Sequence, residues 1–65
     1  MEIAKKLKEA RLNRDLTQEV IAEKLNVSRQ TISNWENEKS YPDIISVIEL
    51  SNLYSISLDD LLKGD

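Results

Sequence analysis

The 65-residue sequence contains neither cysteine nor histidine. The lack of cysteine excludes disulfides, thiolate metal ligands and cysteine nucleophiles, and the lack of histidine removes the most common general base and zinc ligand. One glycine and one proline leave little room for a glycine-rich loop that binds phosphate. These absences disfavour an enzyme, and we expect no catalytic residue, no metal site and no cofactor.

Long apolar runs are also missing, and so is the basic-then-apolar start of a signal peptide. We therefore expect a cytoplasmic protein without membrane contact, and the sequence indicates no small-molecule ligand. The 40% of apolar and 32% of charged residues are typical of a folded globular chain. The length allows one small core, so residues 1–65 are interpreted as a single domain.

The net charge of −3 conceals a gradient along the sequence. Residues 1–42 carry eight basic and seven acidic side chains, whereas residues 43–65 carry one basic and five acidic side chains. A polyanion responds to the local field over one face of a protein rather than to its total charge. The acidic total therefore does not exclude a nucleic-acid partner.

Apolar residues recur at helical spacing between short breaks, which predicts an all-α fold, a compact bundle of five short helices. The predicted helices cover residues 2–13, 18–25, 28–37 and 42–54, followed by a short helix after Ser57. The breaks carry residues that start or stop helices: the caps Thr17, Ser28 and Ser57, a left-handed Asn26, Pro42 in a first turn and Gly64 as a stop. The second and third helices have the spacing of a helix-turn-helix.

The third predicted helix has an unusual polar face. Ile32 and Trp35 share one side of this helix, and the opposite side carries uncharged groups with Arg29 at the edge: Gln30, Ser33, Asn34 and Asn37. Solvated helix faces are usually rich in Lys and Glu, whereas a carboxamide matches the donor and acceptor of a base edge in the major groove. The face therefore indicates base reading, and a face that simply meets water is the alternative.

Residues 17–36, TQEVIAEKLNVSRQTISNWE, resemble the helix-turn-helix of the lambda repressor/Cro-like (XRE) DNA-binding domains. The similarity begins at the Leu7 and Arg11 pattern and ends at SISLDDLL, residues 55–62. The resemblance implies a lambda repressor-like bundle that binds double-stranded DNA with its third helix in the major groove. It further implies a transcriptional regulator of bacterial or phage type, most often a repressor.

The resemblance also assigns roles to individual positions. It implies base contacts at Ser28, Arg29, Gln30, Ser33 and Asn34. It implies phosphate contacts at Thr17, Gln18, Thr31, Asn37 and Lys39. It places Gln18 where it can also brace Gln30, and it pairs Arg11 with Glu36 as a structural ion pair. Glu38 stands where the family commonly has glycine, which predicts a strained or reshaped loop.

Few cations are available to bind phosphates, so a single copy is expected to bind weakly. Beyond Arg29 and Lys39, the basic candidates are Lys5, Lys6, Lys8 and Arg14. Two linked copies raise avidity without new contacts, which favours a homodimer on a pseudo-palindromic operator with recognition helices about 34 Å apart. On the fourth helix, Ile44 is expected to face the core, and Ile45 and Leu53 to project outward as a dimer patch.

A function from another class stays open at this point. Helix-turn-helix folds can serve as protein-interaction adaptors without reading DNA, because a fold alone does not determine a function. An adaptor would favour apolar residues at the outward positions of the third helix, where this sequence has Gln30 and Asn34. Asp59 and Asp60 are adjacent and diverge on a helix, so first-turn acids explain them better than a catalytic pair does.

Overall fold

The computed structural model describes residues 3–63, and within that range it contains five α-helices and no strand. The helices are α1 (Ile3–Asn13), α2 (Gln18–Leu25), α3 (Arg29–Glu36), α4 (Ile44–Tyr54) and α5 (Leu58–Leu62). The expected all-α bundle is thus confirmed. Residue 2, placed in the first helix by the sequence, and the expected stop at Gly64 lie outside the described residues. In the described part of the chain, no helix has the length and hydropathy needed to cross a membrane.

Hydroxyl side chains start three of the helices. Thr17 Oγ1 accepts from the backbone N–H of Val20 at 3.1 Å, and Ser28 Oγ accepts from that of Thr31 at 3.1 Å. Ser57 Oγ accepts from the third N–H of α5 at 3.0 Å in the same way. Each bond satisfies a donor that has no partner inside its helix, which fixes where α2, α3 and α5 begin.

The start of α4 differs from the sequence-based prediction. Pro42 precedes the helix rather than forming its first turn, and Asp43 is the capping residue before Ile44. Ser46 Oγ donates to Asp43 Oδ1 at 2.6 Å. This hydrogen bond lowers the pKa of Asp43. The prediction failed because the φ of proline suits a loop before a helix as well as a first turn.

Left-handed residues occupy four helix breaks, and none of them is glycine. Asn26 has φ 58°, as its position after α2 predicts, and Glu38 has φ 62° in the loop after α3. Asp15 and Ser55 adopt the same conformation without having been predicted. A side chain with a Cβ strains this conformation, least for Asn and Asp. The strain expected at Glu38 is therefore present.

Every helix contributes one large side chain to the centre of the core. These residues are less than 2% exposed: Leu7, Ile21, Ile32, Leu50 and Leu61. Trp35 and Tyr54 lie beside them at 6% and 4% exposure. Because α3 buries Ile32 and Trp35 in this core, the opposite side of α3 is held toward solvent.

The outer surface of α4 also differs from the prediction. Ile44 is 62% exposed instead of facing the core, because no neighbouring helix covers that end of the apolar arc. Leu53, expected to project outward, is half-buried and packs against the core. Ile45 is exposed as expected. We call the exposed apolar side chains of α4 and the loop before it the α4 patch: Tyr41, Ile44, Ile45 and Ile48.

Candidate nucleic-acid interface

The turn between α2 and α3 sets the two helices against each other. Asn26 ends α2 in a left-handed conformation, and the backbone N–H of Val27 donates to the carbonyl of Ala22 at 2.9 Å. The side chain of Val27 is half-buried against the core, which anchors the turn. Ala22 is buried and small, so it allows close approach at the crossing. The sequence places α3 immediately after this turn, with its polar side outward.

The outward side of α3 consists of the residues that the sequence singled out, and we call it the reading face. Arg29, Gln30 and Asn37 are exposed, and Ser33 and Asn34 are half-buried. Arg29 is the only charged member of this set. Side chains of this kind, turned to solvent on one helix, can exchange donors and acceptors with base edges.

Two carboxamides on the reading face are joined to each other. Gln30 Nε2 donates to Asn34 Oδ1 at 2.9 Å, one helical turn apart. This bond uses one donor and one acceptor, so Gln30 Oε1 and the Asn34 amide group remain available on the outer side. Exchanging O and N in both amides leaves the same complement of one acceptor and one donor. The pair can therefore act as a single acceptor–donor unit.

At the other end of α3, Asn37 is folded back onto its own helix. Its Nδ2 donates to the Ser33 carbonyl at 2.9 Å and to Ser33 Oγ at 3.1 Å. Ser33, which is expected to contact a base, and Asn37, which is expected to contact a phosphate, are thus hydrogen-bonded to each other in the absence of DNA. The Ser33 hydroxyl keeps its own proton as a free donor.

The hydroxyl groups expected to contact DNA also act as helix caps. Ser28 Oγ lies 2.9 Å from Thr31 Oγ1 besides accepting from the Thr31 backbone. Ser28 and Thr17 are exposed, and Thr31 is half-buried. Because the hydroxyl of Thr17 caps α2 and that of Ser28 caps α3, these residues combine a structural role with a place at two helix N-termini. Helix N-termini attract anions through their free N–H groups.

Behind the reading face, Arg11 and Glu36 form the ion pair expected from the sequence. Arg11 Nε lies 2.8 Å from Glu36 Oε2, and Nη2 lies 3.0 Å from Oε1, so the guanidinium binds the carboxylate with two bonds. Nη1 donates to the carbonyl of Leu16 at 2.9 Å. The side chains are 10% and 2% exposed. The hydrogen bonds that Arg11 donates to Glu36 raise the pKa of Arg11, so the guanidinium stays charged.

Gln18 braces Arg29, not Gln30 as the sequence suggested. Gln18 Oε1 accepts from Arg29 Nη1 at 3.1 Å, and Gln18 Nε2 donates to Glu36 Oε1 at 3.1 Å. Arg29 and Glu36 are seven residues apart, which is close to two turns, so they share the side of α3 that Gln18 reaches. Gln30 lies 100° further round the helix. Gln18 therefore contacts Arg29 because of the direction in which the Arg29 side chain leaves α3, which the spacing of residues along the chain does not show.

The basic candidates lie in three places: the loop after α3, the side of α1 beside α5, and the exposed side of α1. Lys39 is exposed in the loop after α3, and its backbone N–H donates to the Asn34 carbonyl at 2.9 Å. Lys6 Nζ instead donates to the carbonyl of Asp60 at 2.7 Å, and Arg14 Nη2 donates to Ser55 Oγ at 3.2 Å. Lys6 and Arg14 therefore lie beside α5 and its preceding turn, where oxygen atoms of Asp60 and Ser55 hold their charged groups. Lys5 and Lys8 are exposed on α1.

Metal binding has no support in the described range 3–63, which holds no cluster of His, Cys, Asp or Glu arranged around a common point. An open cleft beside α1 is lined by Lys6, Arg14, Tyr54 and Ile56, among others. It lies on the side that Lys6 and Arg14 share with α5, and none of the reading-face residues lines it. The reading face is therefore the candidate functional surface.

Comparison with known proteins identifies similar chains. A helix-turn-helix family model matches residues 7–61. The chain is 45% identical over 65 residues to the HTH-type transcriptional activator BcrR of Enterococcus faecalis. It is also 45% identical over 65 residues to the HTH-type transcriptional regulator ImmR of Bacillus subtilis. All of this chain is covered in both matches, but only 32% of BcrR and 51% of ImmR, so the chain spans a third to a half of these relatives.

A solved structure resembles the whole fold. The P22 c2 repressor protein, crystallised in complex with synthetic operator 9T, superimposes with a TM-score of 0.89 at 28% sequence identity. The match covers 100% of this chain and 98% of that chain. The five-helix arrangement described above is thus the arrangement of a protein solved with its operator.

Proposed function

The chain belongs to the helix-turn-helix family of the lambda repressor/Cro type, and from this premise we propose that residues 1–65 form a single DNA-binding domain that regulates transcription. In this proposal α3 enters the major groove of double-stranded DNA and reads base edges. The observation that carries the proposal is the reading face, an outward set of carboxamides and one guanidinium backed by buried Ile32 and Trp35.

The chemistry of the reading face specifies what it binds. Arg29 presents donors only, which fits the two acceptors O6 and N7 of guanine. The Gln30–Asn34 unit offers one acceptor and one donor, which fits the N6 amino group and N7 of adenine. Guanine would place two acceptors against that unit and leave the amide acceptor without a partner. We therefore expect an operator half-site with a guanine near the start of α3 and an adenine further along the helix.

Phosphate contacts hold the domain in register on the duplex. The uncharged candidates lie at the first turn of α2, the first turn of α3 and the end of α3: Thr17, Gln18, Thr31 and Asn37. Lys39 adds a cation in the loop that follows. Free N–H groups at the starts of α2 and α3 support this assignment, since phosphates bind readily at helix N-termini.

A homodimer on a pseudo-palindromic operator completes the proposal. The α4 patch, which retains Ile45 of the predicted dimer patch but not Leu53, offers an apolar surface to a second copy. Four side chains expose less than the roughly 800 Å² per partner of a standard interface. Association through this patch alone is therefore weak, and the dimer forms on DNA, where two half-sites hold the copies together.

Regulation in the cytoplasm, where DNA is accessible, fits this proposal. The names of similar proteins include an activator, BcrR, and a repressor, P22 c2. We propose repression as the mode, because a bound domain that covers an operator excludes other proteins from that DNA by occupying it. This part of the proposal is tested with a reporter promoter that carries the selected site.

The proposal is tested by selecting bound sites from a pool of random duplexes with the purified 65-residue protein. We expect enrichment of a motif with two related half-sites. Gln30→Ala and Asn34→Ala should each weaken binding to that motif by about 1–3 kcal/mol and leave binding to unrelated DNA unchanged. Asn52→Ala, which removes an exposed carboxamide from α4, is the matched control. It should change binding neither to the motif nor to unrelated DNA.

Two outcomes contradict the proposal. One is a pool with no enriched sequence, and the other is equal loss on motif and random DNA for Gln30→Ala and Asn34→Ala. The adaptor alternative gains support from the first outcome. The reading face argues against that alternative, because it carries no apolar side chain. Exposed apolar residues lie on α4 and the loop before it, and singly on α1, α2 and α5.

A further inference from the structure

We propose that Glu36, a buried residue that does not face the DNA, is a positioning residue for base specificity and that it acts on Arg29 through the carboxamide of Gln18. This inference rests on the proposed function. The chain of contacts runs from Arg11 to Glu36, from Glu36 to Gln18 and from Gln18 to Arg29, at N···O distances of 2.8–3.1 Å. It begins in the core and ends on the reading face.

The direction of each hydrogen bond fixes the direction of the next. The Glu36 carboxylate forms an ion pair with Arg11, and a carboxylate in an ion pair only accepts hydrogen bonds. It therefore requires the amino group of Gln18, whose Nε2 donates to Glu36 Oε1. The carboxamide is planar with O and N on opposite branches, so Oε1 must face the other way. The Gln18 oxygen is thereby presented to Arg29.

Arg29 can only donate, so it requires that oxygen. With the opposite orientation of the Gln18 carboxamide, an amino group would face the guanidinium and another acceptor would face the Glu36 carboxylate. Both contacts would be repulsive, so a single orientation satisfies all the groups. Glu36 thus determines which atom of Gln18 Arg29 meets.

The consequence concerns the geometry with which Arg29 meets a base. An exposed arginine samples many rotamers, and reading guanine requires both guanidinium branches in one plane with O6 and N7. The bond from Nη1 to Gln18 restricts Arg29 before DNA arrives and leaves Nη2 and Nε available. Restraint of a group in its bound geometry raises specificity by lowering the ordering cost of the correct contact. Without the restraint, Arg29 can equally reach a phosphate.

The test compares base discrimination at two positions of the selected site. Selection with Arg29→Ala identifies the base pair that depends on Arg29, and selection with Asn34→Ala identifies the pair that depends on the carboxamide unit. Gln18→Met keeps the length of the side chain and removes both hydrogen bonds. We expect it to lower discrimination at the Arg29-dependent pair about fivefold, a coupling of about 1 kcal/mol, and to leave the Asn34-dependent pair unchanged.

A double-mutant cycle separates this effect from loss of a phosphate contact. In the Arg29→Ala background, Gln18→Met should no longer change discrimination at that base pair, although it still lowers affinity for all sequences alike. Glu36→Gln, which keeps the shape of residue 36 and removes its charge, should also reduce discrimination at the Arg29-dependent pair. Ile21→Val, a buried change on α2 outside the contact chain, is the control and should lower thermal stability without altering base preference.

The outcomes separate failure of the proposed positioning role from failure of the proposed DNA-binding function. If the wild-type protein enriches no motif, both are overturned. If the motif is enriched but Gln18→Met acts equally with and without Arg29, or lowers discrimination equally at both base pairs, the inference alone is overturned. If Glu36→Gln remains folded by thermal melting and discriminates as the wild type does, Glu36 has no positioning role.

Discussion

Glu36 shows how one carboxylate can serve both the core and the surface. Its two oxygens accept from Arg11, and one of them also accepts from Gln18. The raised pKa of Arg11 means that the stability contributed by this charge is fully present below the ordinary pKa of arginine and is lost only as the pH rises through the higher pKa of the folded state. The pair therefore persists across the physiological pH range.

Arg11→Met should destabilise the domain severely, because it leaves the Glu36 carboxylate buried without its cation. Breaking such a pair costs about 3–5 kcal/mol, which is comparable to the whole stability of a domain this small. The measurement is a urea titration followed by Trp35 fluorescence. The double variant Arg11→Met/Glu36→Met removes both charges and should recover much of the loss. Equal instability of the single and double variants would contradict this account.

Tyr54 should make the domain sensitive to alkali. Burial raises the pKa of its phenol, so the unfolded chain releases the proton near pH 10 while the folded chain retains it. Stability should therefore fall above pH 10, by at most about 1.4 kcal/mol per pH unit from this group. Melting curves between pH 8 and about 11 should show a steeper decline for the wild type than for Tyr54→Phe.

The matched control is Tyr41→Phe, which changes the other tyrosine of the sequence at an exposed position. It should decline as steeply as the wild type does. A wild-type profile that coincides with that of Tyr54→Phe would show that ionisation of Tyr54 does not limit alkaline stability.

At the scale of helices and turns, the ends of the elements carry most of the strain. Four breaks place a residue with a Cβ in the left-handed region. Asn and Asp tolerate this conformation, whereas it costs more free energy at Ser55 and Glu38. The loop after α3 is consequently a weak point that lies next to the reading face but outside its five residues.

Glu38→Gly should stabilise the domain by about 0.5–1 kcal/mol, because relief of left-handed strain exceeds the entropy that glycine adds to the unfolded chain. Glu38→Ala is the control, since it removes the same charge and keeps the Cβ. Thermal melting should rank Glu38→Gly above both the wild type and Glu38→Ala. If Glu38→Gly and Glu38→Ala raise the melting temperature equally, the stabilisation comes from removal of the Glu38 charge and not from relief of its left-handed backbone conformation.

The helices and their caps were largely predictable from the sequence, because their signals are local. Thr17, Ser28, Ser57 and Asn26 act through backbone groups three or four residues away, and such signals are visible along the chain. The start of α4 was missed because Pro42 fits two roles. Ile44 was misplaced because periodicity gives the direction of a side chain but not how far the neighbouring helices extend to cover it.

The candidate site was predictable at the level of residues and less so at the level of contacts. The polar face opposite Ile32 and Trp35 follows from helical periodicity alone. The pairing of Arg11 with Glu36 came from a resemblance, since 25 residues separate the two partners. The contact of Gln18 with Arg29 was missed because it depends on how α2 crosses α3, which is a tertiary property.

At the scale of the whole molecule, size and charge limit how the domain meets DNA. Its Cα extents are 28 × 23 × 20 Å. Two recognition helices one DNA turn apart are separated by about 34 Å, so two domains of this size on neighbouring half-sites nearly touch. In the proposed homodimer, the α4 patch is the apolar surface assigned to the contact between them.

The affinity of this domain for DNA should fall only slightly as the salt concentration rises. The proposal assigns one cation, Lys39, to phosphate and places Arg29 against a base, so the slope of log K against log salt should be about −1 for one copy and about −2 for two copies. Lys39→Ala should reduce the magnitude by about 1 per copy. Lys63→Ala, at the exposed end of α5, should leave the slope unchanged. A slope far steeper than about −2 for two copies would show that further cations bind phosphate.

The hydrogen bond between Gln18 and Arg29 has a consequence for building chimeras. A transplant of α3 into a related scaffold carries Arg29 and Glu36 together but leaves Gln18 behind, because Gln18 belongs to α2. The grafted arginine then reaches the groove without the acceptor that orients it. The smallest portable unit of sequence recognition in this domain is therefore the span from Gln18 to Glu36, both helices with the turn that joins them.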